Sequence, residues 1–253
     1  MTRTPPQFQL RVRFAEELRF LLAARHRRSE DIRVPHDGTS TLGHVIQSLG
    51  VPLTETGELA VHGRRVDPSY RPLGEEAASV APAPRPQPVP FPSQSPPRFV
   101  LDVHLGAVAR QLRLLGLDAA YGNDMSDDAL LTQANAEHRV LLTQDRGLLL
   151  RRALWLGAYV RGARPDAQLL DVLDRFAPAL DPWTRCMACN GTLAPVAKSE
   201  ITSLLRPGTR RTYDTFMRCR DCGRPYWRGA HSGRLEATVA AAREAVRVRG
   251  GQG

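Results

Sequence analysis

The sequence predicts an α/β protein built from separate units. A parallel sheet covered by helices is preceded by a small unit of half-buried strands and followed by a cysteine-bearing module. Three observations carry this. Beyond residue 98, short apolar runs alternate with segments of helical periodicity, the pattern of parallel strands joined by crossover helices. Residues 81–97 carry alternating prolines, which forbid helix and sheet ladders and favour a stiff polyproline II spacer. All four cysteines fall into two Cys-x-x-Cys pairs. The 253 residues suffice for two or three compact units.

Before the spacer, Phe8 to Phe14 alternates apolar and polar residues as a half-buried strand does. Glu17 to Ala24 reads as helix or helical turn, Ile32 to Val34 as a second short strand, and Thr41 to Leu49 as a helix ending at Gly50. Glu58 to Val66 reads as a strand, a glycine turn and a further strand. After the spacer, Arg98 to Asp102 is a short buried strand ending in a carboxylate. Leu105, Val108, Ala109, Leu112 and Leu115 recur at helical spacing, with Gly116 as the stop. Leu117 to Tyr121 is a second strand. Ser126 or Asp127 caps a helix running through Glu137, and Arg139 to Thr143 is a third strand. Asp145 to Ala153 is expected helical, Leu156 to Val160 a fourth strand, and Pro165 to Phe176 a last helix with proline in its first turn. Ala237 to Gly253 reads as a short helix fraying into a glycine-rich end.

Cys186, Cys189, Cys219 and Cys222 are each half of a pair shaped for a tetrahedral thiolate cage, which points to one structural Zn²⁺. The gap of residues 190–218 is longer than the usual spacing. Disulfides would need an oxidising compartment. A redox pair would open a helix after a strand rather than sit in Gly/Arg-rich loops. The N-terminus reaches charged residues too early for a signal-peptide core, and no apolar run is long enough to span a bilayer, so a cytoplasmic protein with no membrane contact is expected.

Net charge is +9, and residues 181–253 hold 13 Lys/Arg against 6 Asp/Glu while the rest is nearly balanced. A cation-rich module beside near-neutral ones suggests a polyanionic partner, although a chain that uses Arg almost to the exclusion of Lys also carries solvated positive surface. Within this module Arg218, Arg224, Tyr226, Trp227 and Arg228 interleave guanidinium groups with aromatic rings, the combination that pairs phosphate and stacks an unpaired base. Tyr226 and Trp227 can equally serve as packing in a module with little core. His231 is expected at the surface or against the polyanion, because four cysteines already complete the cage. Arg110 and Arg113 lie three apart on the first helix after the spacer, either facing phosphate near Asp102 or forming solvated surface.

In an open α/β sheet, ligands gather outside the carboxyl ends of the strands. Asp102 directly follows the first of these strands and Asp145 lies just beyond the third, with Asp124, Asp127 and Asp128 after the second. Carboxylates that converge without cationic partners repel unless a cation neutralises them, and hard ions such as Mg²⁺ or Mn²⁺ suit an all-oxygen site. Each acid also has a plain reading: Asp102, Asp127 and Asp145 as helix caps, Asp124 and Asp128 as solvated loop or first-turn charges.

Phe99-Val-Leu-Asp-Val-His-Leu-Gly-Ala-Val-Ala-Arg-Gln-Leu-Arg-Leu-Leu-Gly-Leu-Asp118 resembles the opening of the Mut-seven C-terminal RNase family, a PIN-like group. Asp127-Asp-Ala-Leu, Arg139-Val-Leu-Leu-Thr-Gln-Asp-Arg and the two cysteine segments are similar to its later signatures, over about residues 98–235. Leu49-Gly-Val-Pro-Leu-Thr-Glu-Thr and Val61-His-Gly-Arg-Arg-Val66 resemble a small ubiquitin-like domain found ahead of such nucleases. The resemblance implies a β-grasp ubiquitin-like domain over 1–81, a proline-rich linker over 82–97, and a PIN-like parallel sheet with helices on both faces over 98–180. A zinc ribbon over 181–235 and a C-terminal helix and flexible tail over 236–253 complete the chain. It further implies a metal-dependent ribonuclease in which Asp102, Asp127 and Asp145 bind catalytic Mg²⁺ or Mn²⁺, with Asp124 or Asp128 as helpers. The basic zinc ribbon would then aid binding of single-stranded RNA. Two departures stand out. Gln144 replaces a common Arg, and the only acid found for a fourth PIN position is Asp166, in a first helical turn where capping explains it. The ubiquitin-like domain runs on into Val80-Ala-Pro, so free Gly-Gly chemistry is closed to it, and a docking role toward a protein partner or a structural role is expected. The other reading is a non-catalytic RNA-binding or ribosome-associated adaptor.

Overall fold

Leu10, Val12 and Phe14 on one side of a strand, with Gln9, Arg11 and Arg13 on the other, demand a sheet with one dry face and one wet face. That sheet forms in the computed structural model, which describes residues 8–36, 38–90, 96–229 and 232–250. The chain divides into two compact units. One takes Met1–Pro84 together with Asp145–Tyr159, and the other takes Arg85–Gln144 together with Val160–Gly253.

The first unit holds β1 (Phe8–Phe14), β2 (Asp31–His36), α1 (Leu42–Ser48), β3 (Thr56–Val61), β4 (Arg64–Val66) and β5 (Glu76–Pro82). The sheet order is β2-β1-β5-β3-β4, with β1 and β5 parallel and the other neighbours antiparallel. This is the β-grasp arrangement expected from the sequence. Thr41 caps α1, its hydroxyl accepting from the His44 N–H at 3.2 Å. Leu42, Val45, Ile46 and Leu49 face the dry side of the sheet in a single core with Leu10, Val12 and Leu59. The β3–β4 turn places both His62 and Gly63 at positive φ, as a tight two-residue hairpin requires. Central strand β5 was not expected. Its Glu-Ala-Ala-Ser-Val has only one β-branched residue, and pairing with β1 and β3 makes it a strand. The expected helix over 17–24 is a pair of 3₁₀ turns, Glu16–Leu21 and Ala24–His26.

Beyond Pro97 the alternation is as expected: β6 (Phe99–Leu101), α2 (Gly106–Leu114), β7 (Ala119–Tyr121), α3 (Asp127–Ala136) and β8 (Val140–Thr143). In the first unit's share, α4 is one turn, Arg146–Leu149, shorter than the expected helix over 145–153, and β9 is Gly157–Tyr159. The second unit resumes with α5 (Pro165–Phe176). Strands β7, β6 and β8 lie parallel with β6 between the others. Three consecutive β6 residues, Phe99, Val100 and Leu101, are each fully buried, so both faces of the sheet are covered.

The cysteine module holds β10 (Leu193–Val196), α6 (Lys198–Ile201), α7 (Pro207–Thr212), β11 (Phe216–Cys219) and β12 (Pro225–Tyr226), with β11 between antiparallel partners. The long gap between the cysteine pairs is occupied by the two short helices. The expected C-terminal helix is α8 (Gly233–Gly250), which starts before residue 236 and packs on α5 and α2 with Val239 and Ala242 buried; the expected flexible end at 251–253 lies outside the described residues. The described part of the proline-rich segment is tethered: Pro82 ends β5, Arg85 pairs with Asp171 and Asp174 at 2.8 Å each, and Gln87 exchanges hydrogen bonds with Arg175.

Candidate functional site

Parallel register pairs Leu101 with Leu142, so the next residue on each strand, Asp102 and Thr143, meets at the carboxyl edge of the sheet. The Asp102 N–H continues the ladder to the Leu142 carbonyl at 3.0 Å. The residue is 6 % exposed, and its carboxylate Oδ2 accepts from the Thr143 hydroxyl at 2.6 Å and Oδ1 from the Val103 N–H at 2.6 Å. A buried carboxylate held by two short donors is fixed in one rotamer, and each oxygen keeps a lone pair. The neighbouring turn is equally determined. The Tyr121 hydroxyl donates to the Val103 carbonyl at 2.9 Å and sits so close to Gly106 that a Cβ there would lie 2.6 Å from it.

The other acids are placed differently. Ser126 caps α3, accepting from the Ala129 N–H at 3.3 Å, so capping does not account for Asp127, which lies exposed in the first turn beside exposed Asp128. Asp124 is exposed in the preceding loop. Asp145 caps α4, accepting from the Gly147 N–H at 2.7 Å, and belongs to the first unit. Asp166 is not a cap either: it accepts from the Gln111 side chain at 2.7 Å, and Arg164 is the N-cap of α5. Among the described residues, the four cysteines form the one group of three or more metal-ligating side chains whose ligand atoms are gathered, so the carboxylates do not make a preassembled cage. Asp102 fits as a single oxygen ligand.

The cysteine sulfurs do make one. All four Sγ atoms lie within 4.8 Å of one another, with Cys186–Cys222 at 3.7 Å and Cys189–Cys219 at 3.4 Å. A tetrahedral Zn²⁺ with bonds of about 2.3 Å needs sulfurs about 3.8 Å apart, so the donor set fits. Two like-shaped knuckles build it. The Cys186 N–H donates to Gly191 O and the Asn190 N–H to Cys186 O, while the Cys219 N–H donates to Arg224 O and the Gly223 N–H to Cys219 O. The residue after each pair, Asn190 or Gly223, takes positive φ to close the knuckle. Burial pushes the Cys186 thiol up, but the Tyr226 hydroxyl 3.0 Å away and nearby backbone N–H groups outweigh it and bring it down to about 6. Burial and the facing sulfurs push Cys189 up to about 12.

The first knuckle is braced against the sheet. Arg113, expected as a phosphate contact or solvated surface, is instead buried. Its Nε donates to Ala119 O at 2.8 Å, and its Nη1 donates to both Ala188 O at 2.8 Å and Met187 O at 3.3 Å. Burial lowers its pKa. Asn190 donates to Asp118 at 2.8 Å and accepts from the Ala119 N–H at 3.0 Å. Asp118 also pairs with Arg139 at 2.5 Å; burial would raise its pKa, yet the hydrogen bonds from Arg139 and Asn190 hold it below the usual carboxylate value.

Of the remaining expected RNA contacts, Arg110, Arg224 and Tyr226 line one cavity of about 340 Å³ with Gly106 and Tyr121, between the first turn of α2 and the first knuckle. Arg224 and Trp227 line an adjoining one. Arg218 is exposed and turned onto Gly223 O at 3.1 Å, away from both. His231 lies outside the described residues. Thr143, Asn190 and Trp183 were missed by sequence reasoning, because each acquires its role from a partner far along the chain.

Comparison with family models matches residues 97–239, more than half of the chain, to the Mut7-C RNAse domain and residues 8–88 to the Mut7-C ubiquitin domain. Comparison with curated proteins and with solved structures gives no match. Among the described residues, no helix is long and apolar enough to cross a membrane.

Proposed function

The chain belongs to the Mut7-C RNAse domain family, and on that premise we propose that it hydrolyses phosphodiester bonds of single-stranded RNA, with Asp102 at the reacting centre and the zinc ribbon holding substrate. The observation that carries this reading is the Asp102 carboxylate itself, buried at the carboxyl edge of a parallel sheet and locked by Thr143. Burying a carboxylate is costly unless hydrogen bonds or an opposite charge compensate it. Among the described residues its donors are the neutral Val103 N–H and Thr143 hydroxyl, which leaves its charge for a bound cation to balance.

By motif alignment Asp127 and Asp145 join Asp102 as metal-binding acids, with Asp124 or Asp128 in support. When bound there, Mg²⁺ or Mn²⁺ would supply charge neutralisation at the phosphodiester and activation of water. The chain's own groups do the rest. Thr143 and the Val103 N–H hold Asp102 in one orientation, and Arg110 and Arg224 offer guanidinium groups to RNA phosphates beside the turn that follows Asp102. Zn²⁺ in the cysteine cage maintains the ribbon. The β-grasp unit is read as a structural element or a docking surface for a protein partner, in a cytoplasmic enzyme.

The test is incubation of the full chain with mixed RNA, with and without Mn²⁺, beside Asp102→Asn. Cleavage should require the ion and disappear in the variant, with RNA affinity retained or raised. Equal cleavage by variant and wild type would overturn the reading. The second reading, a non-catalytic RNA-binding or ribosome-associated adaptor, is favoured by the carboxylates not being gathered among the described residues. Metal-dependent turnover excludes it.

A further inference from the structure

Trp183 holds a backbone φ of +71°, a conformation that a bulky residue adopts only under constraint. The constraint is visible. The Trp183 N–H donates to Leu114 O and the Asp181 N–H to Leu115 O, both at 3.0 Å, clamping this turn onto the end of α2. The clamp depends on Gly116, where any Cβ would stand 2.0 Å from the Asp181 carbonyl oxygen. So the fold maintains an unfavourable backbone at Trp183 and a glycine beneath it, and the indole stays half-buried rather than in the core.

The indole forms one wall of a cavity of about 710 Å³ in the cysteine module, a size typical of small-molecule and nucleotide sites. Tyr213, Asp214, Met217, Tyr226, Trp227 and Arg228 are among the other lining residues. The Arg228 guanidinium lies 5.3 Å over the Trp183 ring, and Trp227 is 38 % exposed. Trp227 and Tyr213 also line the adjoining cavity that carries Arg206 and Arg224. Aromatic walls with one guanidinium stacked over the Trp183 ring and others around the adjoining cavity suit a base with its phosphate. Asp214 in the lining is paired with Lys198 at 2.7 Å, and the module's 13 basic against 6 acidic residues favour an anionic chain over a neutral apolar ligand.

We propose that this cavity is a nucleobase subsite: one unpaired base of an RNA strand inserts against Trp183 and Trp227, and Arg228 and Arg224 take the flanking phosphates. The subsite rests on the reading of the protein as acting on single-stranded RNA, and it adds that a base is held in the ribbon itself.

The experiment is equilibrium binding, by fluorescence anisotropy, of a labelled single-stranded oligoribonucleotide to full-length Asp102→Asn protein, so that RNA is not consumed. A set of oligonucleotides each lacking one base is compared with the intact strand, which tests the cavity without altering the protein. One position should lose roughly 5- to 150-fold in affinity, the worth of one base–aromatic stack. Trp183→Ala should show the same loss with the intact strand and no further loss at that position, while Trp183→Phe restores most of the affinity at unchanged zinc content. A flat abasic series with wild-type binding by Trp183→Ala overturns the subsite and leaves the RNA reading standing. If no single-stranded RNA binds at all, both fall.

Discussion

The backbone N–H of Tyr159 donates to the Glu55 carboxylate at 2.8 Å, and Glu55 is 2 % exposed. Tyr159 lies within the RNAse-domain match, Glu55 within the ubiquitin-domain match, and both belong to one compact unit. The segment is held at further points: the Arg146 guanidinium hydrogen-bonds the Leu21 carbonyl, and the Phe20 and Tyr159 rings meet edge to face at 5.2 Å. The β-grasp therefore folds together with the stretch that begins at Asp145, which makes it a structural partner in cis of an acid-bearing segment.

Glu55→Ala removes a charged acceptor from that half-buried N–H and should cost about 1–3 kcal/mol of stability. Urea denaturation gives the energy, and amide exchange at Tyr159 should quicken. Glu55→Gln keeps an acceptor oxygen and should lose less. Unchanged exchange at Tyr159 in Glu55→Ala would show that the contact does not hold the segment.

Thr143→Val keeps the shape of the side chain and removes the donor to Asp102. The carboxylate then loses its fixed orientation, and kcat on RNA should fall by roughly tenfold or more, the equivalent of one charge-assisted hydrogen bond. KM should hold, because Thr143 is fully buried and offers no surface to substrate. Thr143→Ser restores the hydroxyl and most of the rate. A rise in KM with kcat intact would place Thr143 in binding instead.

The strands β6 and β8 and the cysteine knuckles are legible in the sequence because each announces itself locally, as an unbroken apolar run or as fixed Cys-x-x-Cys spacing. The register that joins Asp102 to Thr143 follows from two such runs and parallel pairing. Arg113 is illegible for the opposite reason. On a helix its charge reads as surface, and only the carbonyls of Ala119, Met187 and Ala188, the farthest of them 75 residues on, give it a buried place. Strand β5 lacks β propensity and exists through pairing with β1 and β3. The membership of residues 145–159 in the first unit depends on Glu55 and Leu21, which no local pattern connects to Tyr159 and Arg146.

Asp118 gives stability a pH dependence. Its folded pKa is depressed by Arg139 and Asn190, so its contribution is fully present above the unfolded value near 3.8 and is lost as pH falls below that through the folded value. Asp118→Asn removes the dependence. The stability gap between wild type and Asp118→Asn should be constant from about pH 5 to 7 and close below pH 3.8; comparing both chains at each pH cancels loss of zinc common to them. A gap that widens on acidification would contradict the assignment.

Zinc release should be felt in the sheet as well as in the ribbon. The first knuckle supplies Met187 O and Ala188 O to Arg113, and Asn190 to both Asp118 and the Ala119 N–H. Without the ion, four sulfurs within 4.8 Å lose the charge that draws them together, and the knuckle that orients these groups loosens. Chelation should therefore speed amide exchange at Ala119 in β7, well before global unfolding. Arg113→Ala, with zinc content checked, should reproduce the loosening from the other side and cost about 1–3 kcal/mol through the carbonyls it leaves unpaired. Exchange that changes only between residues 186 and 226 after chelation would show that the brace does not transmit zinc binding to the sheet.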